Sequence, residues 1–148
     1  MNRIRRIGTL IVFSALLTSG CSSISVPSLE DPSCTEARET ARSFYSLHFG
    51  GDLKPTAESL KARATGLTAE FGARLQAENP EKVDPFTLTE DYPRAFKLGG
   101  CEARNDSEVV LEIQLFWRDD KVTKQESVNA VMVKRSGRWL IDGIERRN

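Results

Sequence analysis

The side chains that could do chemistry in this sequence are few, and His48 is the first to consider. It is the only histidine of the chain, and an imidazole that titrates near neutral pH is the commonest general base in enzymes. Tyr45 lies three residues earlier, on the same face of a predicted helix, where its hydroxyl would sit at the edge of a site. Both residues equally suit a packed helix face, so a core or rim role for His48 stays open.

Three carboxylates, Asp84, Glu90 and Asp91, follow one another closely in an irregular segment that also contains two prolines. Oxygen-rich loops can bind calcium, but these positions lack the alternating spacing of a calcium loop. We therefore predict a solvated loop without a metal, ordered by the packing of Phe86 and Tyr92. Asp84, Phe86, Asp91 and Tyr92 are the candidate interaction residues of this loop.

No further pattern indicates catalysis. The chain contains neither a G-x-S-x-G nucleophile elbow nor a phosphate-binding loop, and it lacks the CxxC spacing of redox and zinc sites. Asp142 on the last predicted strand points opposite to Ile141, which favours a structural hydrogen bond over an acid–base role. We therefore predict no catalytic residue and no cofactor.

The first 20 residues have the layout of a bacterial secretion signal, in which a positive start precedes an apolar run and small residues. The stretch Leu17–Cys21 resembles a lipobox, the processing motif of bacterial lipoproteins. This resemblance implies cleavage before Cys21, lipid on Cys21 and a membrane-anchored tether over residues 21–31. The apolar run is shorter than the roughly 20 residues of a spanning helix, although an uncleaved anchor is the alternative. Ser22 resembles the outer-membrane sorting signal of enteric bacteria, so we expect the domain to face the periplasm.

The cysteine count and the charge limit the rest of the chain. With Cys21 assigned to lipid, Cys34 and Cys101 remain as a pair in an oxidising compartment, where a disulfide is expected and two buried free thiols are the alternative. The 21 basic side chains include three arginines of the leader, so the mature chain is mildly acidic. That balance argues against nucleic acid as a partner.

The hydrophobic spacing predicts one domain over residues 32–148, with helices first and strands after them. A Ser33–Glu36 capping box begins the first helix and Gly50-Gly51 ends it. Two more helices are predicted over 56–64 and 69–78, the second capped by Thr68. Period-two patterns then predict four strands over 95–103, 108–117, 122–134 and 138–145, with a bulge at Gly99-Gly100. The fold class is α+β, with helices packed on a curved antiparallel four-stranded meander.

Several packing motifs resemble the nuclear-transport-factor-2-like superfamily, whose curved sheet wraps a helix to form a cone. They are the aromatic pair Phe44-Tyr45, the Leu67-Thr68-x-x-Phe71 element and the closing run 137–142. The Asp84-Pro85-Phe86 and 90–93 segments resemble uncharacterised bacterial envelope lipoproteins of that fold. The resemblance places ligands inside the cone, where the candidate pocket residues are Phe44, Tyr45, His48, Phe71 and Trp139. Dimers are common in this superfamily, which leaves a homodimer open.

These features favour a non-catalytic interaction module that is anchored by lipid, faces the periplasm and binds an envelope protein or complex. One alternative is a small-ligand-binding protein or enzyme that uses the cone interior as a pocket. A second alternative is an immunity-type lipoprotein against a periplasmic toxin. The packing motifs support the fold more than the function.

Overall fold

The computed structural model describes residues 30–51, 56–78, 82–118 and 123–147. The predicted signal peptide, the lipidation site Cys21 and the tether up to residue 29 lie outside the described residues. The helices are α1 (Pro32–Phe49), α2 (Ala57–Arg63) and α3 (Ala69–Glu78), and a 3-10 turn, Ala64–Gly66, follows α2. The strands are β1 (Ala95–Asn105), β2 (Glu108–Arg118), β3 (Thr123–Arg135) and β4 (Arg138–Arg146). None of the helices in this described part has the length and hydropathy needed to cross a membrane.

Helix α1 begins differently from the prediction. Asp31 is its N-cap, and its side chain accepts a hydrogen bond from the Ser33 backbone N–H at 2.8 Å. Glu36 does not close a capping box, because it accepts hydrogen bonds from Lys134 Nζ at 2.6 Å and Trp139 Nε1 at 3.0 Å. The bond from Lys134, helped by that from Trp139, holds the pKa of Glu36 below its usual range. Glu36 thus ties α1 to the β3–β4 hairpin.

The four strands form one antiparallel meander in the order β1-β2-β3-β4. The predicted alternation is confirmed on β2, where every second side chain is buried against the helices: Val109, Leu111, Ile113, Leu115 and Trp117. The predicted bulge is also confirmed, because the β1–β2 register shifts between Leu98 and Cys101. The α+β class, with helices on a four-stranded open sheet, is therefore correct.

A disulfide fixes the start of α1 to the inner face of β1. Cys34 and Cys101 are bonded, with a Cα–Cα distance of 5.9 Å, in agreement with the pairing expected from the sequence. The Glu30 carboxylate lies within 4.8 Å of both sulfurs, but bonded sulfurs are not the thiolates that a metal requires. The far end of α1 packs against the start of β1, since the Phe49 and Phe96 rings are 5.1 Å apart. Helix α1 therefore runs antiparallel to β1 across the sheet.

Candidate functional site

The structure brings three of the candidate pocket residues together with a residue of the candidate loop. The Phe86 ring packs edge to face against Phe44 and His48, at centroid distances of 5.0 and 5.1 Å. Phe44 also meets Tyr45 edge to face at 5.5 Å. These four side chains are at most 5% exposed. They pack against one another and fill the space between α1 and the loop.

The other two candidate pocket residues lie elsewhere. Phe71 on α3 is buried and touches the same cluster from the side, with its ring centroid 6.3 Å from that of Phe86. Trp139 is buried beneath a separate open recess of about 560 Å³, where Glu36, Lys134 and Arg138 are among its neighbours. The five side chains therefore do not line one common hollow.

His48 forms the centre of a buried polar chain that joins three elements. Its Nε2 lies 2.7 Å from Asp84 Oδ2, and its Nδ1 accepts a hydrogen bond from Arg63 Nε at 2.8 Å. The Arg63 Nε–H can only donate, so Nδ1 must carry the lone pair and Nε2 must carry the proton. His48 is thereby assigned as the neutral Nε2–H tautomer, which donates to the Asp84 carboxylate. The three side chains are at most 5% exposed.

Arg63 is the residue of this hydrogen-bonded trio that the sequence analysis did not identify. It lies one turn after Leu60 on the buried face of α2, at a position where an apolar residue is usual. Its Nη1 donates to the Ser59 carbonyl at 2.6 Å and its Nη2 to the His48 carbonyl at 3.3 Å. Arg63 therefore also caps the end of α1.

The loop after α3 differs from the solvated segment expected from its composition. Asp84 is fully buried, contrary to that expectation, whereas the 1% exposure of Phe86 agrees with the predicted packing of its ring. The Asp84 side chain accepts hydrogen bonds from the Phe86 N–H at 3.0 Å and the Thr87 hydroxyl at 2.9 Å, while Leu88 N donates to its carbonyl at 2.7 Å. Leu88 has a φ of 57°, which is rare for a bulky residue and closes this turn tightly. The side chains of Asp84 and Phe86 are therefore enclosed within the fold and do not lie at the surface.

Tyr45 also differs from the expectation, because its hydroxyl is not at an edge. The side chain is fully buried and its hydroxyl donates to the Phe86 carbonyl at 2.9 Å. Burial, reinforced by the negative charge of Asp84, raises the pKa of Tyr45 well above its usual range. A phenol held in this way supports the loop and is a poor proton donor at neutral pH.

The remaining candidates are at or near the surface. Asp91 is exposed and Tyr92 is half-buried, so these two stay available for contacts. The Asp91 backbone is fixed, because its carbonyl accepts a hydrogen bond from Trp117 Nε1 at 2.7 Å. Asp142 accepts a hydrogen bond from the Thr68 hydroxyl at 2.7 Å, which is the structural role expected for it.

Comparisons with known proteins support the fold. No protein-family model matches the sequence, and no curated protein matches it. The chain is similar to a crystal structure of a protein of unknown function from Bacteroides thetaiotaomicron VPI-5482, with a TM-score of 0.53 and 19% identity. The match covers 74% of this chain and 88% of that chain. A likeness at this level of identity shows the fold alone.

Proposed function

We propose that this protein is a non-catalytic interaction module of the nuclear-transport-factor-2-like superfamily, anchored by lipid at Cys21 in the bacterial outer membrane and facing the periplasm. Its role is to hold or present an envelope protein or complex. The helices packed on one face of a four-stranded meander support the superfamily. The lipobox-like leader supports the anchor, and the Cys34–Cys101 bond suits an oxidising compartment.

One observation carries the proposal: three of the five side chains expected to line a cone pocket, Phe44, Tyr45 and His48, pack against one another and Phe86, and their polar groups are hydrogen-bonded. Among the described residues, no buried side-chain nitrogen or oxygen lacks a hydrogen-bond partner. A small-molecule site needs a concavity with polar groups directed into it. Phe44, Tyr45 and His48 provide neither. We therefore expect the partner protein to bind at the surface of the domain.

An acid–base role for His48 is correspondingly disfavoured. A general base must reach the proton that it abstracts, and His48 is 2% exposed. Both of its ring nitrogens are engaged, by Arg63 and by Asp84. The interaction module is therefore favoured over an enzyme that uses the cone interior.

Photo-crosslinking in intact cells of the native host tests this proposal. A photoreactive amino acid replaces, one at a time, Asp91 on the loop, Gln114 on the outer sheet face and Arg42 on α1, all in the full-length lipidated chain. We expect one envelope protein to be captured from one of these positions in preference to the others. The matched Cys21→Ala chain should lose this adduct, because it lacks the anchor. No position-dependent adduct from a lipidated, disulfide-bonded chain would contradict the proposal and favour a small ligand.

A further inference from the structure

A groove runs between α1 and the start of β1, and none of the residues that line it belongs to the buried cluster of Phe44, Tyr45, His48 and Phe86. It has a volume of about 470 Å³ and is lined by Arg38, Arg42 and Ser46 of α1 and by Phe96, Lys97 and Leu98 of β1. The three helix residues are four positions apart, so they form one stripe along α1. The three strand residues are consecutive. The groove is thus a channel between a helix and a strand.

The strand that borders this groove is an edge strand of the sheet. Within the described sheet, β1 is hydrogen-bonded to β2 and to no other strand. An edge strand presents backbone N–H and C=O groups that can pair with an added strand. Over positions 95–98 the β1–β2 register is regular, and the bulge comes only after Leu98. A regularly paired segment of the edge strand therefore lies beside the groove.

The groove combines an apolar floor with a basic rim. The Phe96 ring is held by Tyr45 and Phe49, at centroid distances of 5.6 and 5.1 Å. Three of the six lining residues are cations and none is an acid, in a chain with 21 basic and 21 acidic side chains. Lys97 is exposed and makes no ion pair with any residue that the structure describes.

The cations differ in how free they are to meet a ligand. Arg42 is 59% exposed and its ion partner, Glu39, is 4.0 Å away on the same helix. Such an exposed ion pair contributes little to stability, so Arg42 can give up Glu39 for an acidic group of a ligand. Arg38 is paired more closely, with Glu30 at 2.6 Å, so Arg42 and Lys97 provide most of the charge for an acidic partner.

The two walls of this channel are joined at both ends, by the disulfide and by an aromatic contact. Cys34 lies one turn before Arg38 on α1, and Cys101 lies three residues after Leu98 on β1. Their bond joins the two walls at one end, and the packing of Phe49 on Phe96 joins them at the other. A preformed groove of this kind lowers the ordering cost of binding.

We infer that this groove binds an acidic, extended segment of a partner protein, which adds to β1 as a fifth strand. This inference rests on the proposed function and names the surface and the partner chemistry. Main-chain hydrogen bonds to β1 provide the affinity in such strand addition, and alternate side chains provide the specificity. Acidic side chains on the inner face of the added strand meet Arg42, and those on its outer face meet Lys97.

Selection of random linear dodecapeptides on the purified full-length protein tests this inference. We expect enriched peptides to be acidic and to lose affinity by about tenfold or more against Arg42→Glu/Lys97→Glu, because two attractions become repulsions. The control is Arg118→Glu/Arg135→Glu, which reverses two exposed charges at the ends of β2 and β3 and should leave the affinity unchanged. Absence of enrichment, peptides without acidic bias, or equal affinity for both double variants would overturn the inference.

Backbone methylation separates strand addition from simple charge attraction. In an added strand, alternate N–H groups point to β1 and the others point away. Methylation of one alternate set should abolish binding of an enriched peptide, and methylation of the other set should leave it intact. Equal effects of both sets would overturn strand addition. If the peptides fail while cellular crosslinking captures a partner at Asp91 or Gln114, the proposed function stands and this groove is not its site.

Discussion

The 2.7 Å contact between His48 Nε2 and Asp84 Oδ2 joins the last turn of α1 to a loop 36 residues further along the chain. Arg63 completes it from the opposite side of the imidazole. A positive and a negative side chain are thus linked through a neutral ring in the protein interior. Burial of charge is tolerated where each group is paired and hydrogen-bonded. The Arg63–His48–Asp84 network therefore orders the loop. The same network holds the loop against α1 and α2 and so closes the interior between them.

Removal of the Asp84 carboxylate should destabilise the domain strongly. Asp84→Ala leaves His48, Thr87 and the Phe86 N–H without their acceptor and leaves the Arg63 charge uncompensated. We expect a loss of about 3 kcal/mol in the free energy of unfolding, measured by urea denaturation. Asp91→Ala is the matched control in the same loop, because that side chain is exposed, and it should change stability by less than about 0.5 kcal/mol. Similar losses for the two variants would show that Asp84 is not the buried anchor.

Tyr45 should make the stability fall at alkaline pH. Its pKa is raised in the folded chain by burial and by Asp84, whereas in the unfolded chain it titrates near 10. Above pH about 10 the unfolded chain loses this proton and the folded chain keeps it, so unfolding is favoured as the pH rises. We expect this effect to cost about 1.4 kcal/mol per pH unit above that point.

The Tyr45→Phe variant isolates this effect from the titration of other groups. Its stability should fall less steeply than that of the wild type between pH 9 and 11, the range of about one unit on either side of the free phenol value. At pH 7 it should be less stable by about 1 to 2 kcal/mol, because the Phe86 carbonyl loses its donor. A parallel slope for Tyr45→Phe would contradict the buried phenol.

The Cys34–Cys101 bond should stabilise the domain substantially. The two residues are 67 positions apart, and the chain-entropy model gives about 4 kcal/mol for a loop of that length. We expect Cys34→Ser and Cys101→Ser to lower the urea midpoint by similar amounts. The double variant should lose no more than either single variant, because all three lack the same cross-link. Urea midpoints equal to that of the wild type would contradict a stabilising Cys34–Cys101 disulfide.

Two glycines should respond oppositely to alanine. A Cβ at Gly66 would lie 2.7 Å from Phe44 Cδ2, and Phe44 is held by Phe86 and Tyr45, so Gly66→Ala should cost about 1 to 3 kcal/mol. A Cβ at Gly72, inside α3, would meet nothing within 4 Å. Gly72→Ala should therefore stabilise by about 0.5 to 1 kcal/mol through helix propensity. Thermal unfolding of both variants checks the pair, and a harmless Gly66→Ala would show that the cluster is loosely packed.

Much of the fold could be predicted from the sequence because it depends on local periodicity. The β2 alternation from Val109 to Trp117 and the bulge at Gly99-Gly100 are properties of one strand and its turn residues. The Cys34–Cys101 pair follows from counting the cysteines. The predicted N-cap of α1, Ser33, is two residues from the observed one, Asp31. The error arose because both residue types are good caps. Glu36 decides between them by pairing with Lys134, which is 98 residues away.

The polar network of the candidate site could not be predicted, because its decisive contacts join distant residues. The composition around Asp84 is typical of a solvated loop, and its burial depends on His48 and the loop's own turn. Arg63 has no local signature, since a buried arginine is uncommon and its acceptor lies 15 residues away. The sequence left two interpretations of His48 open, a candidate base and a hydrogen-bonded core residue; the structure shows the hydrogen bonds of the second and adds the partners, Asp84 and Arg63, that the sequence did not indicate.

The imidazole ¹⁵N spectrum of the full-length protein tests whether the interior around His48 is closed, as the proposed surface function requires. With one histidine in the chain, the spectrum needs no assignment by mutagenesis. We expect a single neutral tautomer with the proton on Nε2 and the lone pair on Nδ1, unchanged by small ligands added to the sample. Rapid exchange between tautomers would show an open, solvated imidazole, and a proton on Nδ1 would exclude the hydrogen bond from Arg63. Either result would contradict the account, and the first would return His48 to the position of a candidate base.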